Sequence, residues 1–277
     1  MLYPEAVDFL TSPGEPYERL ELVADAELDR YGAVYRGTLR CGAHGPLFAV
    51  EQGIANLIAP DREADSVARV TNYLPLTAWA YERTWRPHAL SLLTGQPFGY
   101  DRELPLIASL MQPEREGLYL DVGCSTGLYA RALTRQRREQ HGHVIGIDLS
   151  RPMLQQAHTF ATEQGLRVSF VQASAQHLPF AQGSAAGVAM GGSLNEIGDV
   201  DACLREIRRV LAPTGRCVMM NLLQSQVLPG QVLQQTLQWS GIDFWTRDEL
   251  NQRFAASGLR LIDQWCYGIV VFSLLLV

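Results

Sequence analysis

A strand, a glycine-containing turn and the start of a helix are predicted in direct succession by the stretch Leu118-Tyr-Leu-Asp-Val-Gly-Cys-Ser-Thr-Gly127. Residues 118–122 form an apolar run of strand length, and the helix is predicted to begin near Leu128. Such an arrangement brings free backbone N–H groups and the positive end of the helix dipole to one point. Because glycine lets a ligand approach the backbone closely, we expect a carboxylate or a phosphate to bind there.

A second apolar strand, Val144-Ile-Gly-Ile-Asp148, ends in an acid. An acid at the tip of the second strand of such a sheet is placed to accept hydrogen bonds from ribose hydroxyls. Taken singly, a glycine turn is often only tight packing, and an acid at a strand end is often a helix cap. Together the two features indicate a ligand that carries a nucleoside.

The region after residue 117 alternates short apolar strands with helical stretches, which is typical of βαβ units and a parallel sheet. One helix is predicted over 201–211, with Asp199 or Asp201 as its cap and Pro213 after its end. The predicted strands are 118–122, 143–148, 167–172, 186–190, 216–223, 260–267 and 269–277. We therefore expect an α/β fold with a Rossmann-like sheet of seven strands and helices on both faces.

Two segments precede this α/β domain, which is predicted to occupy 118–277. Residues 1–60 are rich in glycine, proline and short alternating runs, which indicates a small β module. Residues 61–117 have apolar positions at helical spacing, such as Leu104, Ile107 and Met111, so we expect a helical lead-in or cap. The basic run 131–138 is predicted to be a solvated helix face, and the pair His141 and His143 a solvated loop.

Composition excludes several classes of protein. With 29 acidic and 23 basic residues, the formal charge of −6 argues against binding that rests on general contacts to a nucleic-acid backbone. A hydrophobic fraction of 47% indicates a soluble globular chain, and the apolar run 269–277 is shorter than the roughly 20 residues of a membrane span. Five scattered cysteines without a C-x-x-C pair, and no signal-peptide pattern near Met1, favour a cytoplasmic location.

Five ordered motifs resemble those of class I S-adenosylmethionine-dependent methyltransferases, most closely the subgroup typified by ubiquinone and menaquinone biosynthesis. The first two are Leu120-Asp-Val-Gly-Cys-Ser-Thr-Gly127 and Val144-Ile-Gly-Ile-Asp-Leu-Ser150, the latter followed by Pro152-Met153-Leu154. The third, Val171-Gln-Ala-Ser-Ala-Gln-His-Leu-Pro-Phe180, is similar to the segment that contacts adenine. The others are Leu204-Arg-Glu-Ile-Arg-Arg-Val-Leu-Ala-Pro-Thr-Gly215 and Phe244-Trp-Thr-Arg-Asp-Glu-Leu250 with Ala256-Ser-Gly-Leu259.

The resemblance implies S-adenosylmethionine as cofactor, S-adenosylhomocysteine as product, and a set of cofactor-binding residues. Asp121, Gly123 and Gly127 are expected around the methionyl portion of the cofactor, and Asp148 on its ribose. Leu149 and Met153 are expected against the adenine, Ala175 beside its amine, and either Tyr73 or Tyr81 near the methionine carboxylate. The rest of the implied set is Cys124, Ser125, Ser174, Gln176, Met190, Gly191 and Gly192, of which the last three are expected near the sulfonium.

Four positions depart from the family pattern. Ser125 stands where the family has glycine, and Ser174 stands where it has an acid. Ala185 and Ala186 replace the phenylalanine and the acid that commonly open the fourth strand. The Ser174 hydroxyl accepts a hydrogen bond without charge assistance, so we expect a modest affinity for the cofactor.

Catalytic residues are predicted after the fourth strand, at the carboxyl edge where α/β folds place their ligands. Asn195 and Glu196 are the polar residues there that are suited to orient or deprotonate an acceptor. The alternative is a loop acid that faces water. A methyl group on a sulfonium is already activated, so alignment of the acceptor alone is then sufficient for transfer.

The stretch Leu39-Arg-Cys-Gly-Ala-His44 resembles the second half of the zinc ribbon found ahead of some ribosomal RNA guanine methyltransferases. A structural zinc site needs four ligands, and Cys41 with His44 supplies one pair. The first pair is expected near 11–14, which contains no cysteine or histidine. We therefore predict a degenerate, zinc-ribbon-like module that binds no metal.

The leading hypothesis is methyl transfer to a small, apolar or aromatic acceptor that is contacted by 74–93 and 224–239. One alternative is a ribosomal RNA base methyltransferase, which the acidic balance opposes. A second is a protein that binds the cofactor without turnover. A nucleotide-linked dehydrogenase would need the Gly-x-Gly-x-x-Gly spacing, which is missing. The sequence leaves open the acceptor, the atom methylated and the oligomeric state.

Overall fold

The structure, a computed structural model, describes residues 1–13, 17–58, 82, 84, 86–137, 142–239 and 241–277. The first part of the chain contains, in order, α1 (Pro4–Val7), β1 (Leu20–Leu22), β2 (Glu27–Leu28), β3 (Val34–Cys41), β4 (Leu47–Glu51), β5 (Ile54–Asn56), α2 (Arg86–Thr94) and α3 (Tyr100–Met111). The predicted lead-in is thus helical in its described portion after Arg86, and the rest of 59–85 lies outside the described residues apart from positions 82 and 84.

The second part alternates strands and helices, as the sequence predicts. In chain order its elements are β6 (Leu118–Val122), α4 (Leu128–Arg135), β7 (Val144–Asp148), α5 (Arg151–Glu163), β8 (Ser169–Gln172), β9 (Ala185–Gly191), a 3₁₀ helix (Ser193–Glu196), α6 (Val200–Val210), β10 (Leu211–Leu222), α7 (Leu228–Gln238), α8 (Arg247–Ala256), β11 (Arg260–Tyr267) and β12 (Val270–Leu276). Side-chain caps start three of these helices: Ser150 accepts from the Met153 amide, Asp199 from Ala202 and Thr246 from Glu249.

Seven strands of this second part form a sheet in the order β8-β7-β6-β9-β10-β12-β11. Adjacent strands from β8 to β10 are parallel, and β12 runs antiparallel to both of its neighbours. Apolar side chains pack on both faces of the sheet, for example Val122 and Ile147 in one cluster and Tyr119 and Phe170 in the other. The predicted Rossmann-like α/β fold is confirmed.

The N-terminal strands extend the same sheet beyond β8. Strand β5 pairs in parallel with β8, from Ile54 opposite Phe170 to Asn56 opposite Gln172, and β4, β3 and β1 follow outward. Nothing in the sequence predicts this pairing, because the two strands are more than 100 residues apart. The edge of β8 is consequently covered, so its backbone groups are satisfied within the chain.

Of the two predictions of solvated residues, the one for the histidine pair is wrong at His143 and the one for the basic run 131–138 is wrong at Arg131. His143 is buried, with its Nε2 atom 2.7 Å from the Ser169 hydroxyl, and burial lowers its pKa to about 4; His141 lies outside the described residues. Arg131 is also buried, and its Nη2 atom lies 2.5 Å from a carboxylate oxygen of Glu82, whereas Arg135 of the same run is exposed as predicted. In both cases the local sequence suggests an exposed side chain. Packing of its helix or strand against a neighbouring element removes that side chain from water.

Candidate functional site

A cavity of about 560 Å³ lies at the carboxyl ends of β6, β7 and β9. Three loops contribute its polar edge: the turn after β6 with Gly123 and Ser125, the end of β7 with Asp148, and the segment after β9 with Gly192. The carboxyl edge is where the ends of parallel strands and the starts of the following helices converge. The cavity therefore occupies the position that the sequence predicts for a ligand.

Asp148 joins two of these loops. Its Oδ2 atom accepts a hydrogen bond from the Ser125 amide at 2.7 Å, and its Oδ1 atom accepts one from the Ser150 amide at 2.8 Å. Burial raises the pKa of this carboxyl above its ordinary value, while the two amide bonds act in the opposite direction. Asp148 lines the cavity with remaining acceptor capacity, as a ribose-binding acid requires.

The turn after β6 has left-handed backbone at Gly123, Ser125 and Gly127. A Cβ atom on Gly123 would lie 2.5 Å from the Ser193 Cβ, and one on Gly127 would lie 2.9 Å from the Phe170 ring. Both glycines are therefore required for packing, Gly123 against Ser193 and Gly127 against Phe170; Gly123 lines the cavity and Gly127 does not. Ser125 adopts φ of 49°, which costs a non-glycine residue energy.

Asp121 and Cys124 lie behind the cavity wall. The Asp121 carboxylate accepts a hydrogen bond from the Ala130 amide at 2.8 Å and so fastens α4 to the end of β6. Its burial raises the pKa to about 7. Burial likewise raises the pKa of the Cys124 thiol well above its ordinary value. Neither residue lines the cavity, so they can serve a ligand there only through the position of the turn.

Some of the residues predicted to contact adenine line the cavity, and others lie behind its wall. Leu149, Met153 and Ala175 line the cavity. The Ser174 hydroxyl accepts the Gln176 amide at 3.2 Å and does not line the cavity, and the same holds for Gln176 itself.

Of the residues predicted near the sulfonium, Gly191 and Gly192 line the cavity, while Met190 is fully buried in the core. Tyr73 and Tyr81 lie outside the described residues.

Asn195 is held by the backbone of two segments. Its Nδ2 atom donates to the Leu222 carbonyl at 2.9 Å and to the Asp243 carbonyl at 2.6 Å, and its Oδ1 atom accepts the Leu222 amide at 2.9 Å. Both amide hydrogens are therefore used, which favours a positioning role over direct contact with an acceptor. Glu196, its neighbour, is partly exposed and lines the cavity.

Much of the cavity wall is apolar. Leu90 and Leu93 of α2 and Leu233 and Leu237 of α7 line it, together with Phe244. Among the described residues that line the cavity, the charged side chains are Arg86, Asp148 and Glu196. The two segments predicted to contact the acceptor, 74–93 and 224–239, thus each supply some of the residues that line the cavity. Leu228, Val232 and Trp239 of the second segment are exposed and do not line the cavity, and Trp79 and Trp85 lie outside the described residues.

Arg86 is a site residue that the sequence does not reveal. It begins α2, lines the cavity and is 7% exposed. Its ion pair with Glu103 is buried, and the Tyr129 hydroxyl donates to the same carboxylate oxygen at 2.5 Å. A lone arginine at a helix start has no periodicity or motif to mark it, so only the fold identifies this group.

The N-terminal module shows no metal cluster in its described part. Over all described residues, no group of three His, Cys, Asp or Glu side chains is arranged to hold a metal ion. Cys41 is buried and its thiol donates to Glu18 at 3.2 Å. None of the described helices has both the length and the apolar character needed to cross a bilayer.

Comparison with known proteins identifies a methyltransferase domain within the chain. Residues 120–219 match a family model described as a methyltransferase domain. The chain is 28% identical to an uncharacterized chloroplastic methyltransferase of Arabidopsis thaliana over 193 residues, which cover 66% of this chain and 53% of that protein. It is 37% identical to a demethylmenaquinone methyltransferase of Thermus thermophilus over 101 residues, covering 36% and 45% respectively.

The chain spans about half the length of the curated relatives it matches. A solved structure of a SAM-dependent methyltransferase from Aquifex aeolicus has the same fold, with a TM-score of 0.56 at 16% identity, covering 73% of this chain and 97% of that one. The cofactor of the matched family is S-adenosylmethionine. Residues 120–219 thus form the core of a class I S-adenosylmethionine-dependent methyltransferase domain, and the chain is distantly homologous to the demethylmenaquinone methyltransferases.

Proposed function

We propose that this protein transfers a methyl group from S-adenosylmethionine to a small, apolar or aromatic acceptor. The observation that carries the proposal is one cavity lined by two unlike sets of residues. One set is polar and comprises Asp148 and the glycine turn, and the other comprises aliphatic side chains of α2 and α7. A cofactor and an apolar acceptor would therefore meet in a single enclosure.

The residues of the polar edge fit the cofactor. Asp148 offers carboxylate lone pairs at the end of β7, where ribose hydroxyls need acceptors, and Gly123 presents backbone without a side chain at the cavity wall. Met153 and Leu149 provide apolar contact for an adenine ring. When bound, the cofactor supplies a methyl group already activated by its sulfonium charge. The protein's own task is to hold the acceptor in line with that methyl group and to exclude water.

The size and polarity of the cavity support an apolar acceptor. A volume of about 560 Å³ lies within the range of roughly 300–1,000 Å³ that is usual for small-molecule sites. Its apolar lining includes Ile197, Met220, Leu222, Leu237, Ile242 and Ile269. The printed name of the Thermus thermophilus relative describes methylation of a quinone precursor, which is an acceptor of the same class.

A ribosomal RNA acceptor is disfavoured by charge. The cation that lines the described cavity wall, Arg86, is paired with Glu103, and the chain as a whole carries a net charge of −6. Phosphate contacts require unneutralised cations along the path of the nucleic acid. We further propose Glu196 as the base for acceptors that must lose a proton, because it is an acid at the cavity wall beside Gly192.

We propose that the three segments predicted from the sequence, 1–60, 61–117 and 118–277, have different roles. The region 118–277 would bind the cofactor, and the lead-in within 61–117 would cover the acceptor, because Leu90 and Leu93 of α2 form part of the cavity wall. Residues 1–60 would act as a metal-free module that extends the edge of the sheet through β5.

The test is a transfer assay with cofactor labelled in its methyl group. Purified protein is incubated with a panel of small aromatic and quinol acceptors and, separately, with ribosomal RNA. Label in a small-molecule fraction supports the proposal, and label in RNA alone overturns the acceptor class. Binding of S-adenosylhomocysteine by calorimetry without transfer to any fraction would instead support a protein that binds the cofactor without turnover.

A further inference from the structure

Helix α7 presents an apolar face to solvent. Leu228, Val232 and Leu233 are 75%, 57% and 61% exposed, and Trp239, directly after the helix, is 92% exposed. At about 100° per residue, the three aliphatic side chains lie within an arc of about 140° on the helix surface. A group of large apolar side chains on one exposed face indicates a surface that contacts another molecule, whereas single exposed apolar residues are ordinary.

Hydrogen bonds of glutamine side chains attach α7 to the preceding loop. Among the residues of α7, all of which the structure describes, Gln234 alone is buried. Its Oε1 atom accepts the Ser225 amide at 2.7 Å, and its Nε2 atom donates to the Leu223 carbonyl at 3.0 Å. Gln231 donates from its Nε2 atom to the Ser225 carbonyl at 3.1 Å. The leucine and valine side chains of the helix are thus directed to the cavity and to the surface.

The exposed face continues into the cavity. Leu233 lines the cavity although it is largely exposed, and Leu92 of α2 lines it at 70% exposure. A side chain that is both exposed and part of the lining lies at the mouth, so the cavity opens beside α2 and α7. Leu237, one turn after Leu233, lies further along the same lining. An apolar path therefore leads from the surface of α7 into the cavity.

The segment that carries this face is uncharged. The 26 residues between Arg216 and Asp243 include no acidic, basic or histidine residue, although the chain average of 19% charged residues would place about five there. Attraction to charged partners needs clustered ionic side chains, which this segment does not supply. Its contacts must come from apolar burial, with the Trp239 indole suited to a boundary between an apolar and an aqueous phase.

We propose that Leu92, Leu228, Val232, Leu233 and Trp239 form a docking face for the surface of a lipid bilayer. The proposal rests on the proposed function, because a small apolar acceptor partitions into lipid and would enter the cavity through the mouth beside this face. A helix that lies in the bilayer interface buries its apolar side by about 5–10 Å, and tryptophan favours the level of the headgroups. A second copy of the chain on the same face would cover the mouth, so the bilayer is the occupant that leaves the acceptor a path.

The experiment measures flotation of the purified protein with lipid vesicles. One preparation contains phosphatidylcholine alone, and the other also contains phosphatidylglycerol, which is anionic. The protein should float with both, and the anionic lipid should not strengthen binding, because the docking face is uncharged and the chain has a net charge of −6. Absence of flotation, or flotation that requires the anionic lipid, would overturn the proposal. No cofactor or acceptor is added, so failure here is distinct from failure of methyl transfer.

A triple variant assigns the effect to α7. Leu228→Gln, Val232→Gln and Trp239→Gln are combined, because these three side chains are exposed and do not line the cavity. Glutamine is a good helix former, so α7 is retained. The triple variant should bind phosphatidylcholine vesicles at least about 10-fold more weakly, since three apolar side chains no longer enter the lipid. Its affinity for S-adenosylhomocysteine should equal that of the unaltered protein.

The matched control replaces three exposed apolar side chains of β2, β4 and β11 by glutamine: Leu28, Leu47 and Ile262. The control should bind vesicles as the unaltered protein does. Equal weakening in both variants, or none in the α7 variant, would show that the docking face is not the site of contact. Sedimentation of all three proteins without lipid tests the other occupant. If the unaltered protein is a dimer that the α7 variant converts to a monomer, and vesicles are not bound, a second copy covers the face and the proposal is wrong.

Discussion

Asp121→Asn is expected to remove a specific part of the pH dependence of stability. The Asp121 carboxyl is 2% exposed, and burial raises its pKa from 3.8 to about 7. An acid whose pKa is raised on folding holds its proton more tightly in the folded state. Its contribution to stability is therefore fully present below pH 3.8 and is lost as the pH rises through about 7. The interval between these two values corresponds to a change of about 4 kcal/mol in the free energy of unfolding.

The measurement is chemical denaturation of the unaltered protein and of Asp121→Asn at a series of pH values from 4 to 8. The asparagine oxygen can still accept the Ala130 amide, so the variant keeps the hydrogen bond that fastens α4. His143 and His158, whose pKa values burial lowers to about 4, titrate in the same interval with the opposite sign. Their contributions are present in both proteins and cancel in the difference. Parallel curves for the two proteins would refute the reasoning.

Four further substitutions test individual residues of the site. Ser125→Gly should raise the free energy of unfolding by about 0.5–1 kcal/mol, because glycine adopts the left-handed backbone without strain. A lower free energy of unfolding, measured by chemical denaturation, would contradict this. Asp148→Ala should weaken S-adenosylhomocysteine binding by about 1.5–3 kcal/mol in calorimetry, and unchanged affinity would remove Asp148 from the site. Asn195→Ala should lower the free energy of unfolding by about 2–4 kcal/mol, since it breaks three hydrogen bonds to backbone; intact stability with lost turnover would instead point to catalysis. Glu196→Gln should lower kcat and leave cofactor affinity unchanged, whereas unchanged turnover would make Glu196 a bystander.

Local sequence predicts the elements whose pattern is strong. Strand β6 begins and ends at the predicted residues, and α6 lies within one residue of its predicted bounds because Asp199 caps it. Strand β10 starts five residues earlier than predicted. Leu211 pairs with Ala185 and the register then shifts before Arg216, so a proline- and glycine-containing stretch is drawn into the strand by its partner.

The sequence identifies some side chains of the site correctly and misplaces others. Gly123, Ser125 and Asp148 are found from sequence because the motif places them next to the ends of two strands. Asp121 and Gly127 belong to the same motif but lie behind the wall, where they position the turn. The sequence pattern identifies the loop, and it does not show which of its side chains face the cavity.

The sequence by itself determined the alternation of strands and helices and the position of the binding loop, because hydrophobic periodicity and turn residues act over short distances along the chain. The class of cofactor was implied by the resemblance of its motifs to a known family. Only the tertiary structure decided which polar side chains are buried together. Arg86, Glu103 and Tyr129 come from three separate helices, and Asn195 bonds to two segments distant in sequence. Such contacts depend on how the helices pack on the sheet, since the desolvation of a charge or an amide is set by its neighbours in space rather than along the chain.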